Sequence, residues 1–161
     1  NEEHTDIIRK GGRETVYGHK ITLATGKSGL VTAVDIYRGN PADSELLVSA
    51  IHKLPTIPLQ IAADGGFASK ANLQKVKELG VRDVALHKRR GLKVEDMCRS
   101  SFIYKRLIKF RAGVEANISF LKRVFGLDRC TWKGWEGFQS YVMASVVTYN
   151  LTLLSRQIQT L

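Results

Sequence analysis

Between Ile103 and Phe125 the chain admits little but a helix. Ile103, Leu107, Phe110, Val114, Ile118, Leu121 and Phe125 recur at three- and four-residue steps, which lines one face of an α-helix with side chains that need a core. Tyr104, Ile108, Arg111, Glu115, Ser119 and Lys122 make a second row beside that stripe. Glu115 therefore stands where the core face meets the polar face, with Arg111 one turn before it and Lys122 two turns after. An acid so placed can bind a metal or move a proton. It can equally close a salt-bridge network, because i,i+4 ion pairs are commonplace on helices. Helix geometry leaves both readings open.

The stretch Lys105–Lys133 around that helix also concentrates charge. The chain has 25 Lys plus Arg against 15 Asp plus Glu, a net +10. From Arg99 to Lys133 the basic residues are Arg99, Lys105, Arg106, Lys109, Arg111, Lys122, Arg123, Arg129 and Lys133, and the only acids are Glu115 and Asp128. A basic field of this kind draws a polyanion, nucleic acid before others. Cys98 and Cys130 lie far apart and neither belongs to a Cys-x-x-Cys pair, which argues against a zinc site or a disulfide scaffold and fits a reducing cytoplasm. Tyr141–Leu154 is too short to span a bilayer and contains Asn150 and two threonines, so it predicts a buried core helix.

At 161 residues the chain predicts one domain, 1–161. Residues 1–16 are polar, interrupted by Gly11-Gly12, and predict a connecting loop. Tyr17–Ala24 and Leu30–Tyr37 predict an antiparallel hairpin across the turn Thr25–Gly29. Asp43 or Ser44 is placed to cap a helix reaching about Leu54. Leu59–Ala63 has the apolar character of a strand buried on both sides and runs into Asp64-Gly65-Gly66. Ser69 caps the next helix, which stops at Gly80. Val81–His87 predicts another strand, Lys88-Arg89-Arg90 a basic loop, and Phe138–Gln159 a final helix. This order predicts an α/β layer structure with a mixed β-sheet flanked by helices.

Asp64 stands at the carboxyl end of a buried strand, where open α/β sheets place their sites, though Asp is also a common turn residue. Paired with Glu115 beside a basic surface it says more. In-line chemistry at a phosphodiester needs stabilised attacking and leaving oxygens, which two Mg²⁺ ions about 3.5–4 Å apart supply. Such hard cations take carboxylate oxygens from rigid elements.

Several segments resemble the catalytic domain of bacterial insertion-sequence transposases of the DDE type. They are His4-Thr5-Asp6-Ile7-Ile8, Tyr17-Gly18-His19-Lys20, Gly39-Asn40-Pro41-Ala42-Asp43-Ser44, Asp64-Gly65-Gly66-Phe67, Arg111-Ala112-Gly113-Val114-Glu115 and Phe120-Leu121-Lys122-Arg123. Many of those enzymes carry a helical signature of Tyr, Arg, Glu and Lys. Arg111, Glu115 and Lys122 match its spacing, and Ile108 stands at the tyrosine position, with Tyr104 one turn earlier.

The resemblance implies a ribonuclease-H-like fold and DNA cleavage and strand transfer at insertion-sequence ends, with Mg²⁺ or Mn²⁺ as cofactor. It further implies double-stranded DNA as partner, a homodimer, and action in the bacterial cytoplasm at the nucleoid. Carried over residue by residue, it makes Asp64 the second and Glu115 the third acid of a metal-binding triad. Arg111 and Lys122 become phosphate contacts, and Arg123, Lys88, Arg89 and Arg90 join them as DNA-binding candidates. The first acid, on the first central strand, has Asp6 and Asp35 as candidates here. The expectation is that the chain starts downstream of that strand and is an incomplete, inactive catalytic domain, with a DNA-binding remnant as the alternative. Trp132 and Trp135 are expected to pack on the last helix rather than stack on a base, and His19 to be structural.

Overall fold

A computed structural model describes residues 5–10, 14–88 and 91–159. The chain forms two compact units, Pro41–Glu115 and, from the two ends of the chain, Asn1–Asn40 with Ala116–Leu161.

In the unit Pro41–Glu115, helix α1 (Asp43–His52) is followed by strand β5 (Gln60–Ala62), a 3₁₀ turn (Gly65–Phe67), α2 (Lys70–Glu78), β6 (Asp83–Ala85) and the short α3 (Val94–Met97). Helix α4 (Ser101–Val124) runs from this unit into the other. The core gathers Leu47 and Ile51 of α1, Leu73 and Val76 of α2, Val84 and Leu86 at β6, and Met97 and Leu107. Strands β5 and β6 pair in parallel, Gln60 opposite Asp83 and Ala62 opposite Ala85. Serines cap two of the helices, Ser69 as the sequence predicts and Ser100 as the structure adds. Ser69 Oγ accepts the Asn72 N–H at 3.0 Å, and Ser100 Oγ accepts the Ile103 N–H at 3.2 Å at the head of α4. Helix α1 departs from expectation, since its N-cap is Ala42 and no side chain caps it.

A charge lies within this core. Asp83 is fully buried, and its carboxylate accepts from the Arg99 backbone N–H at 3.0 Å, from Arg99 Nη2 at 3.0 Å and from Gln60 Nε2 at 2.8 Å. Burial pushes its pKa up, but the bonds from Arg99 and Gln60 outweigh that and bring it down to about 2.

The other unit holds β1 (Asp6–Lys10), β2 (Glu14–Gly18), β3 (Lys20–Thr25), β4 (Val31–Tyr37), the end of α4, and α5 (Gly134–Gln159). The predicted hairpin forms as β3–β4, with Lys20 opposite Tyr37, but Tyr17 and Gly18 of its predicted first strand belong to β2 and pair with β1. Where the sequence predicts a connecting loop over 1–16, the described residues Asp6–Lys10 and Glu14–Gly18 are antiparallel strands. Their register sets Ile7 opposite Tyr17 and Ile8 opposite Val16, a pairing that no apolar alternation over so short a polar stretch announces. Gly11-Gly12 falls outside the described residues. Nor is there one mixed sheet among the described residues. The strands pair two by two, antiparallel in β1–β2 and β3–β4 and parallel in β5–β6.

The core of this unit centres on Val31, Leu121, Val146 and Tyr149. Around them Phe120 meets Phe125 edge-on at 5.4 Å, and Phe125 meets Tyr149 at 5.8 Å. Tyr149 donates its hydroxyl to the Gly29 carbonyl at 3.1 Å, and burial pushes its phenol pKa up. Gly29 has φ +83, which a side chain would strain. The run Tyr141–Leu154 is not wholly core. Val142, Val146 and Tyr149 are buried, whereas Met143, Val147, Leu151 and Leu154 are exposed. Residues apolar all round a helix do not say which face is covered.

Asn150, which the sequence offers only as a polar interruption, bonds to a strand as another strand would. Its side-chain amide donates to the Val31 carbonyl at 2.9 Å and its Oδ1 accepts the Val31 N–H at 2.9 Å. Asn150→Ala leaves both backbone groups of a buried residue without these bonds, so we expect it to destabilise the fold by about 2 kcal/mol, read as a lower urea midpoint at unchanged m-value.

Candidate active site

Strand β5 ends at Ala62, and the turn beyond it fixes the direction of Asp64. Asp64 caps the 3₁₀ turn, with its Oδ1 accepting the Gly65 N–H at 2.6 Å and its carbonyl accepting the Phe67 N–H at 3.1 Å. The two glycines are not equivalent. A Cβ on Gly65 would meet the His87 side chain at an ordinary 3.7 Å, whereas one on Gly66 would collide with the Asp43 carboxylate at the start of α1. Gly66 lets α1 approach the Asp64 turn.

Helix α4 supplies the second acid. Arg111 and Glu115 lie one turn apart, so their side chains share a face. Arg111 Nη1 donates to Glu115 Oε1 at 2.7 Å and to Asp64 Oδ1 at 2.9 Å. One guanidinium nitrogen thus joins acids that are 51 residues apart in sequence. The two oxygens can be no farther apart than those bond lengths laid end to end, well inside the roughly 10 Å beyond which no shared two-ion centre could be bridged. The Asp64 and Glu115 side chains are 72% and 59% exposed and that of Arg111 is 22% exposed. The carboxylates are therefore open to solvent, while the cation between them is half-buried.

Chemically, this is a pair of hard oxygen donors converging on a positive charge. A divalent cation of the Mg²⁺ type is commonly held by one or two carboxylates, with water and substrate phosphate completing its shell. The pair fits that role, and Arg111 Nη1 marks where positive charge is favoured. Among the described residues no three His, Cys, Asp or Glu side chains gather as a metal cluster.

Asp6 and Asp35 belong to the other unit. Asp6 opens strand β1, with Oδ2 3.5 Å from His19 Nδ1. Asp35 Oδ2 accepts from the Tyr37 hydroxyl at 3.3 Å. The His19 side chain is only 3% exposed and packs on the rings of Trp135 at 4.9 Å and Phe138 at 4.6 Å, a structural setting. The Arg38 guanidinium lies 4.7 Å over the Trp135 ring, and Trp132 rests edge-on against Tyr141 at 5.8 Å, so both tryptophans pack on α5 or within it. Lys122 and Arg123 are exposed near the end of α4, where Arg123 Nε donates to the Ser119 carbonyl at 3.4 Å. Lys88 is exposed, its ammonium 5.3 Å over the Tyr104 ring. Arg89 and Arg90 lie outside the described residues. Tyr104, one turn before the signature's tyrosine position, is buried, and its hydroxyl donates to the Leu86 carbonyl at 3.1 Å. The bridge from Arg111 to Asp64 is not legible in the sequence, where only the i,i+4 half of it has a spacing.

No described helix is long and apolar enough to cross a membrane. No curated protein and no solved structure matches the chain. A family model described as the transposase DDE domain matches residues 3–151, almost the whole sequence and both acids included. The chain belongs to the transposase DDE domain family, and DNA transposition is the process that membership implies.

Proposed function

We propose that this chain carries part of the catalytic centre for divalent-metal-dependent cleavage and strand transfer of DNA at the ends of a bacterial insertion sequence, with Asp64 and Glu115 as two of its acids. The observation that carries this reading is the convergence of those two carboxylates on a single cationic nitrogen, from a strand end and from a packed helix. Mg²⁺ or Mn²⁺ bound there would stabilise the attacking and leaving oxygens of an in-line displacement. Asp64 is oriented by the Gly65 N–H, which its Oδ1 accepts. Glu115 is held by its position on α4, one turn past Arg111. In each step a hydroxyl oxygen, first of water and then of a DNA 3′ end, attacks phosphorus while the opposite P–O bond breaks. The departing oxygen takes up a proton, and no bond to the protein forms.

Lys88, Arg89, Arg90, Arg111, Lys122 and Arg123 are each candidates for phosphate contacts, Arg111 when it leaves the acids. Lysine offers a point charge and arginine a planar fork, both suited to phosphate. The working form is a homodimer that gathers two ends on the bacterial chromosome. DNA binding is expected to weaken steeply with salt, because each neutralised phosphate releases counterions. Lys122→Ala with Arg123→Ala should lower the slope of log K against log salt by roughly 2, measured by fluorescence anisotropy. An unchanged slope would remove these two from the DNA surface. DNA binding with no Mg²⁺-dependent nicking is the outcome expected of an inactive, DNA-binding remnant.

A further inference from the structure

We infer that Arg111 is a built-in competitor for the metal, and that DNA relieves the competition by drawing its guanidinium onto phosphate, so that metal and DNA bind cooperatively. The inference rests on the proposed metal site and adds a coupling to it. The geometry is specific. Nη1 lies 2.7 Å from Glu115 Oε1 and 2.9 Å from Asp64 Oδ1, the lengths of charge-assisted bonds. One oxygen of each carboxylate is thus already engaged by a single cation, which offsets part of their combined charge. The Arg111 side chain is 22% exposed while the acids are 72% and 59% exposed. The guanidinium is seated rather than waving in solvent, and it must move before both oxygens can turn to another cation. Both of its bonds are to carboxylates, and a phosphodiester offers the same planar fork an equivalent anionic partner. Arg111 therefore has two alternative seats of like chemistry, and occupation of the second frees the first. Linkage requires reciprocity: the factor by which DNA tightens the metal is the factor by which the metal tightens DNA.

The test measures Mn²⁺ affinity by the loss of free-ion electron paramagnetic resonance signal, on the protein alone and with a short DNA duplex. Arg111→Gln is expected to tighten Mn²⁺ binding to the DNA-free protein by about tenfold, within the usual span of coupling factors. Arg106→Gln removes the same charge from the same helix, but Arg106 contacts Gln60 Oε1 at 3.1 Å rather than the acids, so it should change Mn²⁺ affinity much less. DNA should tighten Mn²⁺ binding to the unmodified protein by more than it does for Arg111→Gln. Should that variant fail to fold by circular dichroism, Arg111→Leu replaces it. Unchanged or weaker Mn²⁺ binding on loss of the guanidinium, or equal effects of the two arginine variants, overturns the competition. Failure of the site itself has a different signature: Asp64→Asn with Glu115→Gln would leave Mn²⁺ binding unaltered, and the metal site and the coupling would fall together.

Discussion

Glu115→Gln is expected to cut Mg²⁺-dependent nicking of a plasmid bearing the element's own ends by about a hundred- to a thousandfold, the scale on which losing one preorganised electrostatic contribution to the transition state is felt. Glutamine keeps the size of the side chain and one oxygen, and removes the negative charge. The loss cannot be ascribed to unfolding, because the Glu115 side chain is 59% exposed, and exposed substitutions usually stay within about 0.5 kcal/mol. Asp64→Asn should behave alike, since asparagine still offers an oxygen to the Gly65 N–H that Asp64 now accepts. The measurement pairs a nicking assay with DNA affinity, which should stay within a few-fold. Cleavage retained by Glu115→Gln would take that residue out of the mechanism and leave its bond to Arg111 as an ordinary helix ion pair.

The second large effect concerns the fold beneath the site. Asp83→Ala is expected to cost about 3 kcal/mol, because removal of one partner from a buried charged cluster strands the others. Here they are the Arg99 backbone N–H, its guanidinium and the Gln60 amide. The value sits at the low end for buried pairs since the Arg99 side chain is 53% exposed and can turn to water. Acid should reproduce part of this loss in the unmodified protein. The folded-state pKa of Asp83 is lowered from 3.8 to about 2. Its contribution is therefore fully present above about pH 4 and is lost as pH falls through 2. The magnitude of that contribution is about 2 kcal/mol by linkage. Urea unfolding of the unmodified protein and Asp83→Ala, from about pH 2 to about pH 6, checks it, and the difference between the two should shrink toward the acid end. A constant difference would mean that Asp83 acts by packing rather than by charge.

Much of the local structure is legible in the chain because it depends on neighbours in sequence. The 3.6-residue period of Ile103 to Phe125 forces a helix whatever lies around it, and Ser69 caps α2 with its own hydroxyl. Gly80 and Gly126 stand just past helix ends with φ of +93 and +74, conformations that glycine alone adopts cheaply. Asp64 at the end of a short apolar strand and Glu115 at the rim of a helix stripe are visible as acids in unusual places. Their pairing with a basic surface is enough to suggest phosphodiester chemistry. The polar hairpin β1–β2 escapes such a reading, because its pairing rests on backbone register rather than on an apolar period.

What the tertiary structure alone decided is which distant groups share a bond. Sequence spacing specifies an Arg111–Glu115 contact but carries no term for Asp64, since an i,i+4 rule is a property of one helix and the third partner arrives from another element. The same is true of Asn150 on the Val31 peptide, and of Asp83 held by Arg99 and Gln60. Hydrogen bonds and ion pairs act over about 3 Å, and only packing of elements brings residues so far apart in the chain to that distance.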